Sequence, residues 1–377
     1  MVKNKFFDEI HGNFGFGCMR LPMKNDEVDY DEFSKMIDTF INAGLNYFDT
    51  AHGYISGKSE IAIRDCLSSR YGRSQFLLTN KLTEPYFNKE EDIRPFFMEQ
   101  LKNCGVSYFD FYLMHAQNAR NYIKFKNCHA YEVASELKKE GYIRHLGISF
   151  HDTPETLDMI LNEHPEIEIV QIQFNYADYD NPSVQSKEVY EVCIKHNKPV
   201  IVMEPVKGGT LVNLPIEADK VLKELNGGSN ANYAIRFAAS FNNMAMVLSG
   251  MSDMNQMNDN LSVMKDFKPL NEEEFKAINK VKEIFNSIQR IPCTGCRYCV
   301  DENHCPMKIR IPDIFATFNR FQNLHDWNSA SYYNNSLTID GNGKASACIK
   351  CGMCERVCPQ HLPIRELLVK VKETFER

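Results

Sequence analysis

Short apolar runs alternate with segments of helical periodicity along about the first 265 residues of the chain. There are eight such runs, and they are nearly continuous in Val, Ile, Leu, Phe and Tyr. This pattern is typical of parallel strands that are buried on both faces. The runs are FGFGCM near Gly15, LNYFDT ending at Thr50, FLLTNK ending at Lys81, FDFYLMH ending at His115, RHLGISF ending at Phe150, IVQIQFNY ending at Tyr176, PVIVMEPV ending at Val206 and MAMVLSG ending at Gly250.

The segments between the runs are amphipathic and predict helices. One of them begins with a clear start signal, because Asp152 and Thr153 can cap a helix that has Pro154 in its first turn. The predicted helices span residues 30–42, 93–103, 130–139, 154–163, 183–196 and 232–240.

Eight strand–helix units in roughly 250 residues match the number and size of a (β/α)₈ barrel, the TIM barrel. The alternative is a doubly wound open sheet, which usually carries a G-x-G-x-x-G turn after its first strand. The nearest match here is GNFGFG, residues 12–17, and it leads into a strand instead of a helix. The pattern therefore predicts an α/β fold with a closed barrel. After the barrel, residues 267–290 predict a charged helix, and the polar segment 326–346 predicts a surface loop.

Composition places the chain among globular proteins, since 43% of its 377 residues are hydrophobic and 25% are charged. No apolar run approaches the ~18 residues that span a bilayer, and the first residues, MVKNKFFDEIHG, lack the apolar centre of a signal peptide. We therefore expect a cytoplasmic protein. The net charge is −7 and the Lys and Arg residues are scattered, so neither a nucleic acid nor a membrane is expected as a partner.

Eight of the 13 cysteines lie in one C-terminal segment. In a long chain without secretion signals, clustered thiols indicate metal or redox chemistry in preference to disulfides. Scattered cysteines are usually small buried side chains, and burial is therefore predicted for Cys18, Cys66, Cys104, Cys128 and Cys193.

The clustered cysteines form two similar groups. The second group matches the ferredoxin run C-x₂-C-x₂-C-x₃-C-P, in which three thiolates bind one [4Fe–4S] cluster and the fourth binds the other. The spacing therefore predicts two [4Fe–4S] clusters whose ligands cross between the groups. One cluster is assigned Cys293, Cys296, Cys299 and Cys358, and the other is assigned Cys348, Cys351, Cys354 and Cys305.

Structural zinc is the alternative for these cysteines, because paired C-x₂-C motifs also make tetrahedral sites. A third Cys at the same spacing, present in both groups, favours iron–sulfur clusters. The first group departs from the ferredoxin run, since five residues separate Cys299 from Cys305 where the run has three. We predict two domains: a barrel over residues 1–288 and a small C-terminal domain similar to bacterial ferredoxins over residues 289–377.

Candidate catalytic residues stand at the ends of predicted strands. Asp49, Lys81 and His115 close successive runs, and Tyr54 follows in FDTAHGY. The active site of a parallel barrel lies at the carboxyl ends of its strands. Reduction of a carbonyl by hydride needs a proton donor, and a Tyr hydroxyl, with a pKa of about 10 when unperturbed, suits that role only beside a cation. We expect Lys81 to be that cation, Asp49 to hold it, and a neutral His115 to orient the carbonyl.

Each of these residues alone has a structural explanation. Asp49 and Lys81 could form a salt bridge at the barrel rim, His115 could be a core histidine with its hydrogen bonds satisfied, and Tyr54 could be a surface aromatic. Their joint placement at successive strand ends favours catalysis.

The segments FDTAHGY, with Ser59 and Glu60 after it, TNKL around Lys81 and LMHA around His115 resemble the aldo-keto reductase family. The resemblance covers roughly residues 10–265, and the whole chain is similar to the subgroup with a C-terminal ferredoxin-type extension carrying two [4Fe–4S] clusters. It implies a barrel oxidoreductase that uses NADPH or NADH. The catalytic residues it implies are Asp49, Tyr54, Lys81 and His115. The cofactor contacts it implies are Ser149, Gln173, Gly250, Ser252, Gln256 and Asn260, the last four in the loop that binds the adenosine.

Two positions depart from the family pattern. Where many members have a Tyr that stacks on the nicotinamide, this chain has Met203, which packs less rigidly. Members that prefer NADPH carry a basic residue where this chain has Ser252 or Gln256, and Asp253 adds a negative charge there. A 2′-phosphate beside Asp253 would be poorly stabilised. We hypothesise that the preference for NADPH is weak or lost.

The sequence thus predicts an enzyme that reduces a small carbonyl substrate, an aldehyde, ketone or quinone-like compound, by hydride transfer. Nicotinamide passes two electrons and each cluster passes one. A flavin would bridge this mismatch, but no flavin motif is visible, although barrel loops can bind phosphate-bearing cofactors. The clusters either relay electrons to a ferredoxin-like partner or only support the structure. The alternative function is an electron-transfer or interaction protein whose barrel binds nicotinamide without reducing a substrate.

Overall fold

The computed structural model describes residues 4–182, 184–287, 290–301, 305–324, 328–339 and 341–376. The chain divides into two compact units, Met1–Pro205 with Ala231–Asn271 and Val206–Asn230 with Glu272–Arg377. The second unit thus includes residues 206–230, which the sequence-based boundary counts with the barrel. That boundary, between residues 288 and 289, stays a prediction.

The first unit is a closed barrel of eight parallel strands in the order β1-β10-β9-β8-β7-β6-β5-β4. Each predicted apolar run contributes one of these strands, so the predicted barrel is confirmed. A short antiparallel pair, β2 with β3, was not predicted. The strands are β1 (Phe14–Gly17), β2 (Met23–Lys24), β3 (Glu27–Val28), β4 (Tyr47–Asp49), β5 (Leu77–Leu82), β6 (Phe109–Gln117), β7 (Ile143–Phe150), β8 (Ile169–Gln173), β9 (Val200–Met203) and β10 (Met244–Gly250).

Two strands end three residues earlier than the apolar pattern predicts. β8 stops at Gln173 instead of Tyr176, and β9 stops at Met203 instead of Val206. Glu204 has a φ of 58°, in the left-handed region that a strand cannot contain. The apolar residues beyond these ends therefore belong to the loops at the carboxyl mouth of the barrel.

Helices occupy the predicted amphipathic segments, and the prediction is confirmed to the residue for three of them, at 30–42, 130–139 and 154–163. Thr153 caps the last of these helices by accepting from the backbone N–H of Thr156. Ser183, the predicted start of another helix, lies outside the described residues. The helices are α1 (Tyr30–Asn42), α2 (Lys58–Ile63), α3 (Glu90–Cys104), α4 (Ala119–Asn127), α5 (Ala130–Lys139), α6 (Pro154–Glu163), α7 (Ser186–Lys195), α8 (Ile216–Lys223), α9 (Asn230–Ala239), α10 (Met254–Met264), α11 (Glu272–Ser287), α12 (Tyr298–Asp301), α13 (Ile311–Leu324), α14 (Asn328–Tyr332), α15 (Met353–Arg356) and α16 (Ile364–Phe375).

An apolar cluster fills the interior of the barrel toward its amino end, where the strands begin. Tyr47, Phe111, Ile201 and Met246 meet there with Phe7, from the segment that precedes β1. The five scattered cysteines are buried, as predicted. Asp49, Lys81 and His115 lie toward the opposite, carboxyl ends of their strands.

The second unit is built from helices around its own apolar core. Its core residues include Phe315, Phe318, Leu368 and Val371. The prediction of a surface loop over residues 326–346 is wrong for residues 328–337, which form α14 and a π-helical turn at Tyr333–Leu337. Both end residues of that turn are buried, and Tyr333 stacks on Phe375 with ring centroids 5.0 Å apart. Asp326 and Asp340 of the predicted loop lie outside the described residues. In the described part of the chain, no helix has the length and apolarity needed to cross a membrane.

Candidate active site and cysteine-lined cavities

The four predicted catalytic side chains lie together at the carboxyl mouth of the barrel. Asp49 is the last residue of β4, Lys81 lies in β5 and His115 in β6. These strands are neighbours, so their ends bring the three side chains together. Tyr54 belongs to the turn between β4 and α2. The sequence-based grouping of these residues therefore corresponds to one site in space.

Lys81 is the centre of this site. Its side chain is fully buried, and its Nζ donates to Asp49 Oδ1 at 2.6 Å, to the Thr50 carbonyl at 2.8 Å and to Tyr54 Oη at 3.3 Å. Burial lowers the pKa of Lys81, and the Asp49 carboxylate opposes that shift. Burial also raises the pKa of Asp49, against the charge of Lys81. The pair thus places a cation within hydrogen-bonding distance of a phenol.

His115 completes the group as a neutral imidazole. Burial, followed by the positive charge of Lys81, holds the pKa of His115 well below its usual range. Its Nδ1 is 2.8 Å from Thr83 Oγ1, and its ring lies edge-on to the Tyr54 ring with centroids 6.1 Å apart. A neutral ring anchored through Nδ1 leaves Nε2 for a hydrogen bond to a ligand.

A buried carboxylate fixes the base of the Tyr54 turn. Glu60, in α2, accepts from Asn80 Nδ2 at 2.8 Å and from Asn103 Nδ2 at 3.1 Å. It also bonds His52 Nδ1 at 2.8 Å. Burial lowers the pKa of His52, but the hydrogen bond and charge of Glu60 outweigh it, so the net shift is upward. Burying the Glu60 carboxylate without partners would be unfavourable, and these hydrogen bonds compensate for its desolvation next to Tyr54.

Three other predicted cofactor contacts, Ser149, Gln173 and Met203, lie in the strands that follow β6. Ser149 is buried in β7, and its Oγ accepts from the Ala116 N–H at 2.7 Å. Gln173 ends β8 and donates to Asp178 Oδ2 at 2.7 Å. Met203 ends β9, is half-buried and is the register partner of Gln173.

The predicted adenosine-binding residues form a second group at the end of β10 and the start of α10. Gly250 is the last residue of the strand, and Asn260 is buried with its Nδ2 donating to Ser249 Oγ at 3.1 Å. Ser252 N–H donates to Gln256 Oε1 at 2.9 Å. Asp253 caps α10 by accepting from the Gln256 N–H at 2.9 Å. An N-terminal helix end therefore faces this group.

Two cavities of the second unit are each lined by a different set of the clustered cysteines. Cys299 reaches both cavities. Within the described residues, no group of three or more His, Cys, Asp or Glu side chains is arranged to hold a single metal ion. The first cavity is lined by Cys293, Cys296, Cys299 and Cys358. The second is lined by Cys305, Cys348, Cys351 and Cys354.

Backbone amides surround the thiols of the first cavity. The Gly295 N–H donates to Cys293 Sγ at 3.4 Å. Burial raises the pKa of Cys358, while the N–H groups of Leu362, Gln360 and His361 oppose the shift. Such donors favour thiolates and the negative charge of an iron–sulfur cluster. The donor chemistry and the grouping of the thiols both fit a [4Fe–4S] cluster in each cavity.

Family comparisons agree with both parts of this description. The model of the aldo/keto reductase family matches residues 13–283. The model of a 4Fe-4S dicluster domain matches residues 292–362. The chain belongs to the aldo/keto reductase family. As a member of it, this aldo/keto reductase is an NAD(P)H-dependent oxidoreductase, and its C-terminal region is a 4Fe-4S dicluster domain.

Individual relatives of this aldo/keto reductase are distant. The uncharacterized oxidoreductase YqkF of Bacillus subtilis is 24% identical over 296 residues, which cover 70% of this chain and 90% of that protein. An NADH-specific methylglyoxal reductase of Escherichia coli is 27% identical over 216 residues, covering 52% and 62%.

Solved structures show the same fold. The aldo-keto reductase AKR11C1 from Bacillus halodurans, in its holo form, aligns with a TM-score of 0.57 at 24% identity, covering 71% of this chain and 91% of that one. An aldo-keto reductase from Klebsiella pneumoniae in complex with NADPH aligns with a TM-score of 0.60 at 18% identity, covering 74% and 92%.

Two residues of this aldo/keto reductase were missed by the sequence analysis. Gln171, two residues before Gln173 on the same face of β8, donates to Asp49 Oδ2 at 3.3 Å. The period-2 alternation of a strand could have indicated it. The Arg20 side chain lies 3.4 Å from the position that a Cβ on Gly250 would take. No local signal predicts this contact, because it joins distant parts of the chain.

Proposed function

We propose that the protein reduces a small aldehyde, ketone or quinone-like substrate by hydride transfer from NAD(P)H, with Tyr54 as the proton donor. The observation that carries this proposal is the 3.3 Å contact between Lys81 Nζ and Tyr54 Oη, made by a fully buried lysine that also bonds Asp49 at 2.6 Å. A cation at this distance favours the tyrosinate that remains after the proton has left. It therefore makes the phenol a stronger acid where the alkoxide forms.

The remaining two residues have distinct roles in the proposal. Asp49 keeps Lys81 charged against the desolvation that burial imposes. The neutral His115 ring donates a hydrogen bond to the substrate carbonyl through Nε2, which polarises it toward hydride attack. A protonated histidine would place a second cation beside Lys81, and the downward shift of the His115 pKa disfavours that state.

The bound nicotinamide cofactor supplies the hydride. We propose Ser149, Gln173 and Met203 as contacts of its nicotinamide half. Gly250, Ser252, Gln256 and Asn260 are the proposed contacts of the adenosine half. The Asp253 carboxylate at the start of α10 adds a negative charge next to Ser252 and Gln256, so a 2′-phosphate gains little there. We therefore propose that NADH binds at least as well as NADPH.

In this proposal, each set of four thiols holds one [4Fe–4S] cluster. Cys358 of the second cysteine group binds the cluster of the first group, and Cys305 of the first group binds the cluster of the second. Such clusters supply one-electron chemistry when bound. The lining of the two cavities supports this assignment. We propose that the clusters pass electrons to or from a ferredoxin-like partner, with structural support of the C-terminal region as the alternative.

A substitution of Tyr54 tests the enzymatic proposal. Tyr54→Phe removes the proton donor and keeps the ring, so carbonyl-dependent oxidation of NADH and NADPH should fall by about 10²–10⁴-fold. The assay is anaerobic and screens small aldehydes, ketones and quinones with both cofactors.

Tyr108→Phe is the matched control. Tyr108 precedes β6, at the amino end of the barrel, where Arg73 and Arg144 stack on its ring. It should retain activity. Equal turnover by Tyr54→Phe and the wild type would contradict Tyr54 as the proton donor. No carbonyl-dependent turnover with any substrate would support a barrel that binds nicotinamide without reducing a carbonyl.

A further inference from the structure

We propose that the surface around Cys351 is the docking site of a small acidic electron-transfer protein of the ferredoxin type. This inference rests on the proposed function, because it requires a cluster held by Cys305, Cys348, Cys351 and Cys354. One electron leaves the reduced carrier and reduces that cluster by one electron, so no atom or proton is transferred. The same surface serves the reverse direction.

Exposure distinguishes the second cavity from the first. Cys351 is exposed, whereas the cysteines that line the first cavity are buried or half-buried. Ile349, which also lines the second cavity, is 60% exposed. Electron transfer slows steeply with distance, so a carrier reaches the clusters most directly at the loop that holds these two residues.

Three exposed basic residues lie within two positions, along the chain, of residues that line the second cavity. Lys308 stands between Met307 and Ile309, which both line the second cavity. Lys350 stands between Ile349 and Cys351, and Arg356 follows two residues after Cys354. None of the three forms an ion pair with a carboxylate in the described part of the chain. We name Lys308, Lys350 and Arg356, with Ile349 and Cys351, the basic docking surface.

Glu355, which precedes Arg356 in the chain, does not cancel this charge. Glu355 is held by Arg365, whose Nε and Nη2 lie 2.7 Å and 2.6 Å from Glu355 Oε2. Arg365 itself lines the second cavity. The docking surface therefore presents positive charge in a protein whose net charge is −7.

A basic surface on a protein of negative net charge favours an acidic partner. An acidic carrier is repelled by most of an acidic protein and attracted to its basic surface, which orients the encounter and raises its rate. A central exposed Ile with a basic rim matches the usual interface anatomy, an apolar centre within a polar rim. Redox encounters bury little area and are weak, so their rates depend strongly on charge and salt.

The test measures electron transfer from a pre-reduced acidic [2Fe–2S] ferredoxin to the full chain with both clusters loaded, by anaerobic stopped-flow absorbance. For the wild type, the rate should fall at least about tenfold when ionic strength rises from about 0.01 M to about 1 M, because the Debye length shortens from about 30 Å to about 3 Å. The double variant Lys350→Glu with Arg356→Glu should lower the rate about tenfold at low salt.

Lys276→Glu with Lys280→Glu is the matched control. It makes the same change in net charge on two exposed residues of α11 that line neither cavity. Its rate should stay within about twofold of the wild type. An equal loss in both double variants, or a wild-type rate that ignores salt, would overturn the docking surface. The wild-type salt series decides the question even if the variants lose their clusters.

Further measurements separate this inference from the proposed function. Iron counts and reduction by dithionite report the clusters, and carbonyl turnover reports the barrel. Loaded clusters and normal turnover with a charge-independent carrier rate would overturn only the docking site. A charge-dependent carrier rate without carbonyl turnover would uphold the docking site and refute the reductase. Charge-dependent binding to phosphatidylglycerol vesicles, with no effect on the carrier rate, would instead identify the surface as a membrane contact.

Discussion

At the scale of single residues, burial changes what ordinary side chains can do. The Lys81 side chain is fully buried and hydrogen-bonds both Asp49 and Tyr54. The sequence could predict this group because each member ends a strand or follows one, and parallel strands end at one mouth. It could not predict Arg20 beside Gly250, since that contact joins distant parts of the chain.

The same scale offers a test of pH dependence at the other end of the barrel. His145 lies between Glu168 and Glu9, with Nδ1 2.9 Å from Glu168 Oε2 and Nε2 2.6 Å from Glu9 Oε1. Burial opposes protonation, but the two carboxylates raise the pKa of His145 above its usual 6.5. Its contribution to stability is therefore complete below about pH 6.5 and is lost as pH rises through the raised pKa.

We expect His145→Gln to lower the urea midpoint of barrel unfolding more below about pH 6.5 than at about pH 9. The pKa of Glu168, which burial raises but His145 and Lys138 lower to about 2, keeps that carboxylate charged over this whole range. His129→Gln is the control, because His129 pairs with Glu90 at the surface, where ion pairs contribute little. A destabilisation of His145→Gln that grows with pH would contradict the assigned charge.

At the scale of elements, periodicity was sufficient to predict the barrel, whereas composition was misleading for the segment between the cysteine groups. Helices such as α1 and α6 have an apolar stripe and a capping residue, so pattern and propensity agree. Residues 328–337 are rich in Asn and Ser, yet they fold as helix because Tyr333 and Leu337, four apart, reach one apolar core. Composition alone cannot show that such a core exists.

One close approach within the second unit gives a prediction for its packing. Gly208 has a φ of 61°, and a Cβ there would lie 2.0 Å from the Thr294 carbonyl oxygen, next to Cys293. Gly208→Ala should therefore lower the free energy of unfolding of this unit by about 1–3 kcal/mol and reduce the iron content after anaerobic purification.

Gly209→Ala provides the comparison for this substitution. Gly209 also has a positive φ, 88°, but nothing lies within 4 Å of its Cβ position. It should bear only the backbone strain of about 1–2 kcal/mol and keep its iron. Equal iron contents in the two variants would show that the approach to Thr294 does not matter for the cluster loop.

At the scale of the whole molecule, one substitution tests whether hydride transfer in the barrel is coupled to electron transfer by the clusters. Cys351→Ser removes one proposed cluster ligand from an exposed position. If electrons pass through that cluster during turnover, the folded variant should lose activity with the physiological carrier while NADH still binds. Turnover assays, iron counts and circular dichroism together measure this. Full activity in a folded variant that lacks the cluster would leave only the structural role.

The second unit is not continuous along the chain. Residues 206–230, which follow β9, belong to it, and there α8 packs against α11 while Lys207 bonds Gln360 at 3.5 Å. A fragment that starts at residue 289 would lack both α8 and α11, and with them the glycine that fits against Thr294. We therefore expect that a fragment beginning just before the first clustered cysteine does not fold as the second unit does in the full chain. Recombination at that point would separate segments that belong to one compact unit.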